Sequence, residues 1–279
     1  MKLPINLMEY LDEVRRMADE KSYGIVSIGI FGSIMVGGFS QSVSDVDLLV
    51  VLADGVRRKS KHAISCELEA LELKHGLREC PTSRLKHIYS VCDRKIGGFN
   101  SITICYKRDL LSENAAAIFD VNPVAEFLLV SWHTFIFSQI TVTAKTIWGE
   151  DFISHLHLPA ITKGHLIKNC ILNLMRNVCT FLGYPILPNA TKYAMSILKG
   201  FIQNCYFIYT SRTAPIEEEI DFFRTKLGER KAFTQLLLLR REYRSSLGFI
   251  ASCFRVLVQL YAVTVRENKF PITVGAKRW

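Results

Sequence analysis

Apolar residues recur at helical spacing from the start of the chain. Leu7, Leu11, Val14 and Met17–Ala18 share one face of a segment running to Lys21, which predicts a helix. A largely apolar run, Ile25–Phe31, then ends at Gly32-Ser33 and reads as a buried strand. The Gly/Ser-rich stretch after it predicts a loop that opens a short helix, followed by a second apolar strand, Val46–Leu52. Asp54-Gly55 and the basic run Arg57–Lys61 connect to a helix over Ala63–Lys74. There Ile64, Leu68 and Leu71 form the apolar face, and Glu67, Glu69 and Glu72 fall mostly off it as solvated carboxylates. Gly97-Gly98 precedes an alternating strand, Ser101–Tyr106, and the small α/β unit ends near Leu111.

From Asn122 the period becomes helical. Segments Pro123–Ala144 and Thr162–Leu182 come first, the latter stopping at Gly183-Tyr184-Pro185. Ala190–Tyr209, Pro215–Leu227 and a long Glu229–Val265 with a break near Gly248 follow. Ala144–Phe152 reads as a helix end with a glycine C-cap. The expected fold class is α+β: a small mixed sheet with helices, followed by an all-α helical bundle, with domains at 1–121 and 122–279.

Candidate chemistry concentrates in residues 30–50. Asp45 and Asp47 stand at positions i and i+2 at the head of a strand, so both carboxylates point to one face. Two carboxylates on a stiff element suit Mg²⁺, a hard ion that binds a few carboxylates together with substrate phosphates. The Gly32-Ser33 turn offers backbone N–H groups and a hydroxyl to a phosphate. A lone turn-forming aspartate would be the plainer reading, but it leaves Asp47 as an unexplained carboxylate inside a Val/Leu strand.

Phe31-Gly32-Ser33, the spacer Ile34–Ser44 and Asp45-Val46-Asp47-Leu48 resemble the signature of the nucleotidyltransferase superfamily that includes DNA polymerase beta, with Gly37 where small "minimal" members often carry a second glycine. The apolar-aromatic-Gly-Glu-Asp segment in 144–152 is similar to one in two-domain members, antibiotic-modifying ones included. The resemblance implies that the sheet unit is nucleotidyltransferase-like and that the helical unit shapes the acceptor side. It implies Asp45 and Asp47 as catalytic metal ligands, Gly32 and Ser33 against the outer phosphates, Ser44 beside the metal or sugar, and Lys192 or Lys199 as phosphate contacts from a helix that puts Lys192, Ser196 and Lys199 near one face. The implied reaction moves NMP from an NTP to an acceptor with Mg²⁺ and releases pyrophosphate. Many members add a third carboxylate from a neighbouring strand, and Ser101–Tyr106 carries none. Glu79, Asp93, Asp109 and Glu126 are the nearby acids, outside any motif. A catalytically inactive nucleotide-binding or interaction module, antitoxin-like or RNA-binding, is the rival reading.

Composition bounds the rest. The 279 residues are 49% hydrophobic, enough for sizeable cores. No unbroken apolar run reaches the roughly 18 residues of a spanning helix, so no membrane is expected. The start of the chain does not read as a signal peptide. Eight scattered cysteines form no CxxC pair, which gives zinc no support and fits a reducing cytoplasm. Of the net charge of +9, residues 1–110 hold 16 Lys/Arg against 14 Asp/Glu, and residues 111–279 hold 19 against 12. A helical half at +7 disfavours a polycationic acceptor and favours an anionic or macromolecular one, RNA or protein. Arg240, Arg241 and Arg244 are either a phosphate contact or a solvated helix face. Oligomeric state is not legible.

Overall fold

A computed structural model of the chain describes residues 5–21, 23–37, 46–77, 101–120, 123–187 and 189–272, with the side chains of 123–132 left aside. Two compact units divide it: Met1–Pro123 with Gln139–His157, and Val124–Ser138 with Leu158–Trp279.

The first unit is built on a mixed four-stranded sheet. In chain order its elements are α1 (Ile5–Glu20), β1 (Ile25–Phe31), β2 (Asp47–Leu52), α2 (Arg58–Lys74), β3 (Ile102–Tyr106), and the short helices α3 (Lys107–Leu111) and α4 (Ala115–Ile118). Helix α5 (Pro123–Thr143) contributes its last residues, and β4 (Lys145–Gly149) completes the sheet in the order β3-β2-β1-β4. β1 runs antiparallel to β2 and β4, and β2 runs parallel to β3. β2 is an almost uninterrupted apolar run because both of its faces are covered. Leu48, Val50 and Leu52 pack with residues of α1 and α2, including Leu7, Val14, Ile64 and Leu68. By alternation Asp47, Leu49 and Val51 share the opposite face.

Two segments depart from the sequence reading. Residues 145–149 are a strand, not a helix end. Thr146, Ile147 and Trp148 favour a pleated surface, and the free edge of β1 supplies a partner. Gly149 adopts φ +78, and a Cβ there would stand 3.0 Å from Ser27 Cα across the ladder. The Trp148 indole N–H donates to Asp19 Oδ1 at 2.8 Å. Glu72, expected in solvent, is only 2% exposed. It stands one helical turn beyond Leu68, on the buried face, and accepts a 2.7 Å hydrogen bond from the Ser101 hydroxyl.

The second unit is helical: residues 124–138 of α5, then α6 (Lys163–Gly183), α7 (Ala190–Thr210), α8 (Ile216–Leu227), α9 (Lys231–Arg241) and α10 (Leu247–Glu267). Helices α6, α7 and α10 pack on one another, α8 rests on α7 and α10, and α9 on α10. The expected break near Gly248 falls at Glu242–Ser246, where the Ser246 side chain accepts from the Phe249 N–H and caps α10. Thr162 and His165 form a capping box at the start of α6, which gives that histidine a structural role. Among the described residues one helix, α10, is long and apolar enough to cross a membrane by length and composition. Its Phe249, Ile250, Cys253, Leu257 and Leu260 are buried.

Candidate functional site

The end of the sheet where β1 stops and β2 starts is polar. After Phe31 the chain enters the left-handed region at Gly32, φ +76, and makes a single 3-10 turn through Ile34, closed by the Met35 N–H donating to the Gly32 carbonyl at 3.0 Å. Phe31 and Asp47 are opposite each other in the β1–β2 register. The Asp47 carboxylate therefore arrives over the turn. A Cβ on Gly32 would collide with Asp47 Oδ2 and stand 3.0 Å from its Cγ. Glycine is needed here twice, for the positive φ and for the space the carboxylate occupies. Ser33 follows in the turn and is buried.

The turn is braced from α5. The Gly32 N–H donates to the Thr143 hydroxyl at 3.3 Å, and that hydroxyl donates to the Gln139 carbonyl at 2.8 Å. On the other side of β2, the Leu48 N–H donates to the Ser101 carbonyl at 2.6 Å, so the start of β3 lies beside Asp47 in register. Glu72 holds the Ser101 hydroxyl but belongs to α2, which covers the sheet face opposite Asp47. It secures the start of β3. Sequence reasoning missed Glu72 and Thr143. The i, i+4 step from Leu68 could have found the first; nothing local marks the second.

The structure thus brings Gly32, Ser33 and Asp47 to one corner. Ser44 and Asp45 lie outside the described residues, as do Glu79 and Asp93. Asp109 is on α3, with the Arg108 Nε 3.5 Å from its carboxylate. Lys192 and Lys199 belong to α7 in the second unit, both half-buried. The Lys192 ammonium lies 5.3 Å from the centre of the Tyr243 ring. Lys199 acts electrostatically on Glu219 of α8, a fully buried carboxyl pushed up to about 8, first by burial, with the Ala214 N–H at 3.3 Å and the Lys199 charge pulling the other way. Of the arginine trio, Arg240 turns inward, and burial lowers its guanidinium while Glu217 partly restores it.

Chemically, a carboxylate beside a glycine turn with a buried serine offers hard oxygen to a cation and backbone and hydroxyl donors to an anion. Residues 7–94 match the family model of the nucleotidyltransferase domain, a range that contains the Gly32–Ser33 turn and both aspartates. No curated protein sequence matches the chain. Among solved structures it is similar to a spectinomycin adenyltransferase from Enterococcus faecialis, crystallised with ATP and spectinomycin. The TM-score is 0.54 at 13% identity, over 92% of this chain and 99% of that one. At that identity the likeness is one of fold, and it extends through the helical unit. Over residues 7–94 the chain thus matches a nucleotidyltransferase domain, glycine turn included, and over most of its length it shares the fold of an adenyltransferase.

Proposed function

We propose that the protein transfers NMP from an NTP to an acceptor hydroxyl or amine in an Mg²⁺-dependent reaction that releases pyrophosphate. The observation that carries this reading is the Asp47 carboxylate seated over the left-handed Gly32. That seat fits a hard divalent ion: an anionic oxygen donor is fixed at a strand end, next to a turn whose backbone can approach phosphate oxygens. Asp47 and Asp45 would hold the ion. When bound, it neutralises triphosphate charge and aligns attack on the α-phosphorus.

The chain's own residues do the positioning. Thr143 takes the Gly32 N–H and so holds the turn in one conformation before any ligand arrives. Ser33, and Ser44 with it, orient phosphate and sugar oxygens. Lys192 and Lys199 add positive charge for the outer phosphates. With the helical half at +7, the acceptor that suits the protein is anionic or macromolecular, RNA or protein, rather than a polycation.

Calorimetric titration of NTP with and without Mg²⁺ tests the site. Asp47→Asn should cut the Mg²⁺-dependent part of the affinity by about 10- to 100-fold while leaving the melting temperature in place. Equal Mg²⁺-NTP affinity in the variant and the wild type would sink the metal-site reading. Pyrophosphate release from α-labelled NTP across RNA, protein and amine acceptors separates transfer from binding alone. Tight binding without release would identify a non-catalytic module.

A further inference from the structure

Helix α6 buries a row of amides among its apolar contacts and exposes a stripe of aliphatic residues. Its inward face carries Asn169, Asn173 and Asn177, each at 0% exposure. Asn173 Nδ2 donates to the Asn169 carbonyl at 2.9 Å and to Asn169 Oδ1 at 2.7 Å, and Asn177 Nδ2 donates to the Ile250 carbonyl of α10 at 3.1 Å. Its outward face carries Ile167, Ile171, Met175, Val178 and Leu182, exposed by 41 to 70%. These five are spaced 4, 4, 3 and 4 residues apart and form one stripe along the helix. Beyond Gly164 the charged residues of α6, Lys168 and Arg176, are half-buried. A solvated helix shows the opposite arrangement, and a contiguous apolar stripe of this length marks an interaction surface.

We propose that this face docks a second copy of the chain, α6 against α6, antiparallel about a two-fold axis. The charge pattern selects that occupant. In an isologous contact a patch meets itself, so any charge on it would face its own sign. The five stripe positions carry no charge to repel, although the chain carries +9, and the cations nearest them on the helix, Lys168 and Arg176, are half-buried. Exposed Lys163 stands at one end of the helix. Antiparallel packing sends the two copies of Lys163 to opposite ends, about 40 Å apart, where parallel packing would set them side by side. The order of the stripe agrees. From Ile171 to Leu182 the intervals are 4, 3 and 4, the same in both directions. Antiparallel pairing therefore sets Ile171 opposite Leu182 of the copy and Met175 opposite Val178 of the copy, with helix dipoles opposed. The proposal is independent of the nucleotide site.

Sedimentation velocity of the full chain, up to about 50 μM, tests it. The wild type should sediment as twice its 31.8 kDa mass. Met175→Glu and, separately, Ile171→Lys place a charge at the seam without touching the buried face. Each should weaken the dimer by at least roughly tenfold with an unchanged circular dichroism spectrum. Exposed Cys179 lies near the axis, where paired helices stand about 8–10 Å apart. In a Cys66→Ser, Cys80→Ser, Cys92→Ser background a short bismaleimide should link two chains, and Cys179→Ser should abolish the link. A wild type that stays monomeric over the whole range overturns the proposal. If that monomer floats with phosphatidylserine vesicles, the face belongs to a lipid surface instead. A dimer indifferent to both Met175→Glu and Ile171→Lys overturns it equally.

Discussion

Strand β2 and helix α6 are both rich in aliphatic residues and use them in opposite ways. Along β2, Leu48 to Leu52 are buried on both faces, and the one carboxylate, Asp47, comes at the strand's end against Gly32. Along α6 three asparagines are inside beside Leu166 and Leu172, and a stripe of five further aliphatic residues is outside. On an element buried all round, a polar residue is costly, so its position marks function. On a helix apolar over most of its circumference, apolar character does not say which side packs. The polar residues that find backbone partners identify the inner face.

The sheet side of this comparison breaks most completely at Gly32. Gly32→Ala forces a Cβ into the Asp47 carboxylate and strains the left-handed backbone by about 1–2 kcal/mol. If the corner is the reacting site, kcat/KM for pyrophosphate release should fall by at least about 100-fold, since a displacement on the order of 1 Å is enough. Stability should fall by only a few kcal/mol in urea. Activity within a few-fold of wild type would detach the glycine turn from the chemistry.

The helical side can be strained by pH. Glu219 is buried with its carboxyl raised from 4.5 to about 8, mainly by burial, among Lys199, Glu218 and Glu217. Its folded pKa lies above its unfolded one. Its contribution is therefore fully present below pH 4.5 and is lost as pH rises through 8, by up to about 5 kcal/mol. The urea midpoint of the wild type should decline between those limits. Glu219→Gln, which stays neutral, should flatten the profile and be the more stable protein at pH 8. Parallel profiles for the two proteins would show that this carboxyl does not titrate in that window.

The finest test sets the two faces of α6 against each other, in the Met175→Glu background so that only the single chain is measured. Asn177→Ala removes the hydrogen bond to the Ile250 carbonyl and should cost about 1–3 kcal/mol. Ile171→Gln on the outer face should stay within about 0.5 kcal/mol. The reverse order would mean that the apolar stripe contributes to the fold of the single chain.

Legibility in the sequence followed the same division. β1, β2 and the glycine turn were plain, because a strand buried on both faces is a largely apolar run with sharp ends, and β3 was plain from its alternation. Asp47 stood out for the same reason. β4 was not readable: Lys145–Gly149 is a short, half-buried edge strand, and only its pairing to β1, more than a hundred residues away in sequence, makes it one. Glu72 was misplaced because its partner, Ser101, is on another element. Thr143 was invisible because the N–H it holds is likewise remote in sequence. The helical segments of the second unit were found by period alone. Which side of α6 faces inward was not, since its periodic aliphatics cover both.

The asparagine row has a consequence for how the chain reaches this structure. A helix with apolar residues around most of its surface could dock against α7 and α10 in more than one rotation about its axis, each burying similar aliphatic area. Rotated states of that kind are near-degenerate minima that slow a search and leave misassembled material. Of the bonds in the row, the one from Asn177 to the Ile250 carbonyl depends on that rotation. A rotation that keeps Asn177 buried but away from that carbonyl leaves its amide N–H groups with one partner fewer. The row makes the alternatives worse more than it makes the native packing better, and so gives the helix a single address on its neighbours.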